Sequence, residues 1–191
     1  MFAVSNRQVS EAAGQGNNAA VGYHFGTKTD LVRAIETKHR MPVEQLRENM
    51  VAELTDRPGP GDGTPALRDW VTCWVQPLTD HLAALGNPSF YARFAAQVMT
   101  DPAYHHIIAR DALSSVSLVQ VIDGIAGSLP DLPKEVRAER SVMARNLLMY
   151  TCADRERALA QGAAVPRKTW QASAAGLIDG IVGLWLAPVS G

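Results

Sequence analysis

NNAAVGYHFGTK, residues 17–28, brings Tyr23, His24, Phe25 and Lys28 to one corner, where a short helix-prone stretch breaks at Gly26 and restarts at once on Thr27. A helix built only for a core has no use for two polar aromatics and a lysine at such a turn, so the corner is shaped to grip something outside the chain. Upstream, Ser5 caps a first helix, Asn6 to Ala13, with Val9 and Ala12-Ala13 as its small apolar face and Gly14 at its end. Gln15-Gly16 turns the chain into a second short helix, Asn18 to Phe25, capped by Asn17 or Asn18. Thr27 caps a third, with Asp30 in its first turn near the positive end of the helix dipole. Leu31, Val32 and Ile35 give this third helix its buried stripe, and Pro42 is expected to end or bend it.

The same helical spacing of apolar residues continues over most of the remaining chain, and alternating β-branched runs do not occur. The fold class expected is all-α. A polar helix over 43–55 precedes DRPGPGDGTP, residues 56–65, the most loop-like stretch. A long helix starts at Pro65, passes Trp70 and Trp74, bends at Pro77 and stops at Gly86. Further helices are expected over 88–100, over 103–129 in one or two pieces, and, beyond LPDLP at 129–133, over 134–161 and 168–186.

With 191 residues, 47% of them hydrophobic, the chain can bury a real core as one domain or one with a small appendage. Its formal net charge of −1 gives the whole molecule no bias towards nucleic acid, so any such binding needs a local patch. Residues 1–40 supply one, with Arg7, Lys28, Arg33, Lys38 and Arg40 against Glu11, Asp30 and Glu36. Cys73 and Cys152 are far apart in helix-forming surroundings, which suits two small buried side chains in a reduced, cytoplasmic protein. The longest apolar run, IVGLWLA at 181–187, is far short of the roughly 20 residues a membrane span needs. No signal-peptide pattern opens the sequence.

Two short helices joined by a glycine-containing turn describe a helix-turn-helix, whose second helix enters the major groove of DNA. A third helix starting directly after Phe25-Gly26 sharpens the pattern, because its first amides and Lys28 then flank the same groove and can hold a phosphate. VSEAAGQGNNAAVGYHFGTKTDLVRAI, residues 9–35, resembles the DNA-binding segment of the tetracycline-repressor (TetR) family, with its helix ending in Ala-Gly and its recognition helix closing on Tyr-His-Phe before a small residue and Lys. The resemblance implies a homodimeric repressor, with a variable helical domain for small ligands and dimerisation through the last two helices. It implies a helix-turn-helix DNA-binding domain at 1–41 and a larger helical ligand-binding and dimerisation domain at 42–191. Family members carry one more helix before this segment, and this chain opens at Met1-Phe2 in the loop after it. The DNA-binding domain is therefore expected to be N-terminally incomplete, with Val9, Val21 and Leu31 losing much of their cover.

On this reading Phe25 is a core plug, while Tyr23 and His24 donate to phosphate oxygens and Lys28 adds an ion pair. Base contacts fall to Asn17 and Asn18, whose amides suit adenine, and to Ala19, whose methyl suits thymine. Gly22 lets the helix approach the duplex, and Ser5, Asn6 and Arg7 are placed for the DNA backbone. The middle of the chain concentrates aromatics and methionines. Trp70, Trp74, Phe90 and Phe94 are expected to line a ligand pocket, together with Met99, Tyr104, Met149 and Tyr150. In the last helix Trp170, Ala174, Leu177, Ile181 and Trp185 form one stripe, while Gly176, Gly180 and Gly183 form a small face; burial on two sides, together with Leu147 of the helix before, suits a dimer's four-helix bundle.

His81, His105 and His106 do not have ligand spacing, since adjacent histidines point to different sides of a helix, so no metal and no other cofactor is expected. Nor is there a nucleophile elbow, a phosphate loop or a zinc-protease signature, so an enzyme is not expected. The partners expected are a palindromic double-stranded DNA operator, a small-molecule effector and a second copy of the chain, with no membrane. The competing reading is a helical small-molecule-binding or interaction protein that no longer binds DNA.

Overall fold

Local capping sets where the helices begin. In the computed structural model, which describes residues 5–14, 20–56 and 65–189 (of Asn6, Ala20 and residues 109–113 the backbone only), the described residues form nine helices and no strand. They are α1 (Asn6–Ala12), α2 (Ala20–Phe25), α3 (Lys28–Asp56), α4 (Leu67–Leu85), α5 (Tyr91–Thr100), α6 (His105–Ser114), α7 (Val116–Ser128), α8 (Lys134–Ala160) and α9 (Trp170–Leu186). Ser5 caps α1 through a reciprocal box with Gln8. Before α3, the Thr27 hydroxyl accepts from the Asp30 N–H at 3.1 Å, and the Asp30 carboxylate accepts from the Thr27 N–H at 3.2 Å and from its hydroxyl at 2.6 Å. The long 103–129 stretch divides at Ser115, whose hydroxyl oxygen accepts from the Leu118 N–H and so opens α7.

One boundary differs from expectation. α3 runs unbroken for 29 residues through Pro42, so the 41/42 division falls in the middle of a helix. An interior proline costs about 3 kcal/mol. Beyond it, Val43 and Val51 are buried in the main core, and two such side chains return about 1.5–3 kcal/mol each. Packing therefore outweighs the local break.

The core is centred on α4, whose Val71, Val75 and Leu82 are fully buried against α9, α3 and α7. α8 closes the body by packing on α5 and α9. Two buried arginines tie down the chain's later turns. Arg140 donates to the carbonyls of Trp185 and Pro188, a cation where α9 exposes its last acceptors. Arg155 donates to the carbonyls of Arg167 and Lys168 and lies over the Trp170 ring. α2 packs on α1 and on α3. A second apolar cluster, Val32, Val98 and Ile107, joins the start of α3 to α5 and α6. Cys73 and Cys152 are buried thiols, pushed up to about 11 and about 12 chiefly by burial. Among the described residues no helix is long and apolar enough to cross a membrane.

Candidate nucleic-acid interface and ligand cavity

The corner at residues 20–30 is built as a tight, exposed turn. The Gly26 N–H closes α2 on the Gly22 carbonyl at 2.9 Å, and Gly26 has φ +79°, a left-handed conformation that side chains disfavour. A Cβ there would also touch the Asp30 carboxylate. The Thr27 hydroxyl, with Arg33 at 2.9 Å from the other carboxylate oxygen, holds Asp30 below its usual pKa. Tyr23 stands 85% exposed, its ring edge-on to the exposed His24, and Lys28 forms the first residue of α3. Ser5 and Arg7 are exposed on α1, where Arg7 pairs with Glu11. Around Gly22 an added methyl would meet nothing within 4 Å among the described residues, whose packing makes no demand for glycine there. Asn17, Asn18 and Ala19 lie outside the described residues, as does the Asn6 side chain.

Two expectations about this corner are corrected. Phe25 is 42% exposed and plugs nothing; it ends α2, and burial stops one turn earlier, at Val21. Val21, expected to lose much of its cover, is only 5% exposed, while Val9 and Leu31, expected to share that loss, are half-buried.

In the body, a cavity of about 250 Å³ is lined by α3 to α8. Of the eight aromatics and methionines expected to line it, Trp74, Met99 and Met149 do. Trp70 instead packs flat on Gly124 of α7, where a Cβ would come within 2.2 Å of its ring. Phe90 is 66% exposed, with the Arg93 guanidinium stacked over it, and Tyr150 is exposed on α8. Phe94 and Tyr104 join the cluster around Val32. Helical spacing placed these side chains on inward or outward faces but could not tell a filled interface from a hollow one.

What the sequence reading missed is the cavity's polar wall. Glu36, Arg40 and Glu44 follow one another at four-residue spacing on α3, with Arg47 beside them and Arg145 opposite on α8. Charges repeating at that interval along a partly apolar face were the available signal. Glu44 is engaged on both oxygens, by Arg47 at 2.6 Å and by the hydroxyls of Ser115 and Ser117. Burial opposes its ionisation, but those hydroxyls and the guanidinium outweigh it and keep its pKa low. Burial lowers the pKa of Arg47 despite Glu44, and its Nε is buried without a hydrogen-bond partner. Behind this wall Tyr91 stacks on His39 at 4.2 Å and directs its hydroxyl towards Glu36, while His39 and His81 share a hydrogen bond of 3.0 Å.

The other large depression, about 500 Å³, is an open groove between α8 and α9, floored by Leu147, Gly176, Leu177 and Gly180. Trp170, Ala174, Ile181 and Trp185 do not border it. With Leu177 they are buried in the chain's own core, which corrects their expected role as contacts to a second copy: α9 needs its large stripe to pack on α4, and only its glycine face is left outside. Leu147 is exposed on that outer side, with Met143 and Tyr150 at helical spacing on α8.

Residues 72–183, from within α4 to within α9, match the family model described as tetracyclin repressor-like, C-terminal domain. The chain belongs to the tetracycline-repressor family. A comparison with the curated proteins finds no match. The part matched to the family contains most of the cavity and the whole outer groove, and the exposed corner lies upstream of it.

Proposed function

We propose that this tetracycline-repressor family member is a ligand-responsive transcriptional regulator that binds DNA through α1, α2 and the start of α3, and that a small molecule in the cavity releases it from its operator. The observation that carries the reading is that one helix serves both places. α3 begins at the exposed corner with Lys28, and its middle supplies Glu36, Arg40, Glu44 and Arg47 to the cavity wall. At 1.5 Å per residue the rod is about 43 Å long, so a shift of the wall is transmitted to the corner without an intervening hinge. Ile108 of α6 lines the cavity and also packs on the cluster that holds Val32, which gives a second route.

The protein acts as a homodimer through the outer face of α8 and α9, with two recognition helices about 34 Å apart in the DNA-binding state. A ligand that binds the other state better shifts the population away from that spacing. At each half-site Asn17, Asn18 and Ala19 read bases, Gly22 allows close approach, and Ser5, Asn6, Arg7, Tyr23, His24 and Lys28 hold the backbone. Repression is the expected outcome.

Titrating palindromic DNA with wild type, Tyr23→Ala and Lys28→Ala tests the corner. Both variants should bind more weakly on all sequences, and Lys28→Ala should lower the slope of log affinity against log salt by about 0.9. Wild-type affinity in both removes these residues from the interface, and absence of DNA binding by the wild type favours the reading of a binding protein without an operator.

A further inference from the structure

The cavity's charges do not balance. Three guanidiniums, Arg40, Arg47 and Arg145, border it against two carboxylates, Glu36 and Glu44. Glu44 is already saturated by Arg47, Ser115 and Ser117, and Glu36 takes the Tyr91 hydroxyl. On the cationic side, Arg47 is 7% exposed and keeps a buried Nε–H with nothing to accept it. Arg145, exposed at the rim, has no hydrogen-bond or ion-pair partner among the described residues and so is open to a ligand, whereas the buried unpaired donor is that of Arg47. Buried donors without acceptors are costly, and a guanidinium is matched best by a carboxylate. The remaining wall is apolar, with Trp74, Leu78, Met99, Leu148 and Met149.

We propose that the cavity takes an amphipathic monocarboxylic acid, its carboxylate at Arg47 and Arg145 and its apolar body against Trp74 and the methionines. One negative charge neutralises the surplus of one. An apolar cavity of 150 Å³ holds benzene, so one of about 250 Å³ holds roughly ten heavy atoms: a phenylalkanoate or a medium-chain fatty acid. The proposal rests on the cavity being the effector site of the regulator described above and supplies the chemistry of that effector.

Calorimetric titration of the full chain with two matched sets tests it: 3-phenylpropanoate, 3-phenylpropan-1-ol and 3-phenylpropylamine, and octanoate, octan-1-ol and octylamine. The acids should bind at least about tenfold tighter than the alcohols, as one charge-assisted pair predicts, and the amines weakest. Arg145→Met, on an exposed side chain that folding does not need, should abolish the preference for acid while leaving alcohol binding intact. Arg47→Lys, which keeps the charge but loses the fork, should reduce it. Acids no tighter than alcohols, amines tightest, or no acid binding at millimolar concentration would each overturn the proposal. Acid binding in a chain that shifts no palindromic DNA would leave the proposal standing and remove the regulator reading instead.

Discussion

Glu156 is 1% exposed and every bond it makes holds the start of α5 in place. It accepts from the Ser89 hydroxyl at 2.7 Å, from the N–H groups of Ala92 and Arg93 at 3.2 and 3.0 Å, and from the Arg93 guanidinium at 3.1 Å. α5 has no cap of its own, since Phe90 stands at its N-terminus. Glu156→Ala strands these donors and should cost about 3 kcal/mol of unfolding free energy. Asp154→Ala, two residues away in an exposed pair with Arg157, should cost less than about 1 kcal/mol; denaturant titration of both distinguishes them. Gly22 behaves in the opposite sense. With open space around it, Gly22→Ala should stabilise α2 by about 0.5–1 kcal/mol and still weaken binding to palindromic DNA, a divergence that only an external surface against the helix explains. Equal gains in both measurements would free Gly22 of any role in approach.

At the scale of elements, α3, α4 and α5 meet through His39, His81 and Tyr91. Burial lowers the pKa of both imidazoles, assisted by Lys38 for His39 and by each other's proximity for His81. Because the folded values lie below the unfolded value of 6.5, the unfolded chain takes up protons first as pH falls. The contribution of the pair is therefore complete above pH 6.5 and declines below it, by up to about 1.4 kcal/mol per pH unit for each ring, until the folded rings titrate. Chemical denaturation between pH 7.5 and 5 should show this loss, and His81→Gln should flatten it; an unchanged slope excludes the pair as its source. The elements themselves were legible in the sequence to different degrees. The Thr27–Asp30 box, the glycine stop at Gly86 and the break within 103–129 depend on neighbours in the chain, and all are found. Pro42 does not end the helix, because its local cost is overridden by valines packed against helices far along the sequence. The His39–His81 bond spans 42 residues and the Trp70–Gly124 contact a still longer separation, so spacing alone contained neither. Of the helices that border the cavity, α4, α5 and α8 carry expected residues while α3 and α7 do not, and its charged wall was not foreseen, since an Arg at helical spacing looks the same whether it meets solvent or a hollow.

For the whole molecule, the dimer face proposed above is the outer side of α8 and α9. Gly183 has nothing within 4 Å of an added Cβ, and at Gly180 the nearest atom is the Leu147 methyl at 3.6 Å. The isolated fold therefore accepts a side chain at either position. Gly183→Gln should leave the melting temperature of the dilute chain unchanged or slightly raised, and should convert a dimer to a monomer in light scattering across a concentration series. A variant that remains dimeric would move the interface elsewhere.

The unbroken course of α3 also bears on how such proteins can be recombined. A hybrid joined at residue 41 would splice two sequences in the middle of a single rod, beside the proline and between Arg40 and Val43 of the cavity wall, and its halves would have to agree in register as well as in sequence. A junction after Asp56 hands over the exposed corner, the rod and one wall of the cavity as one piece. Swapping the corner therefore carries part of the cavity with it.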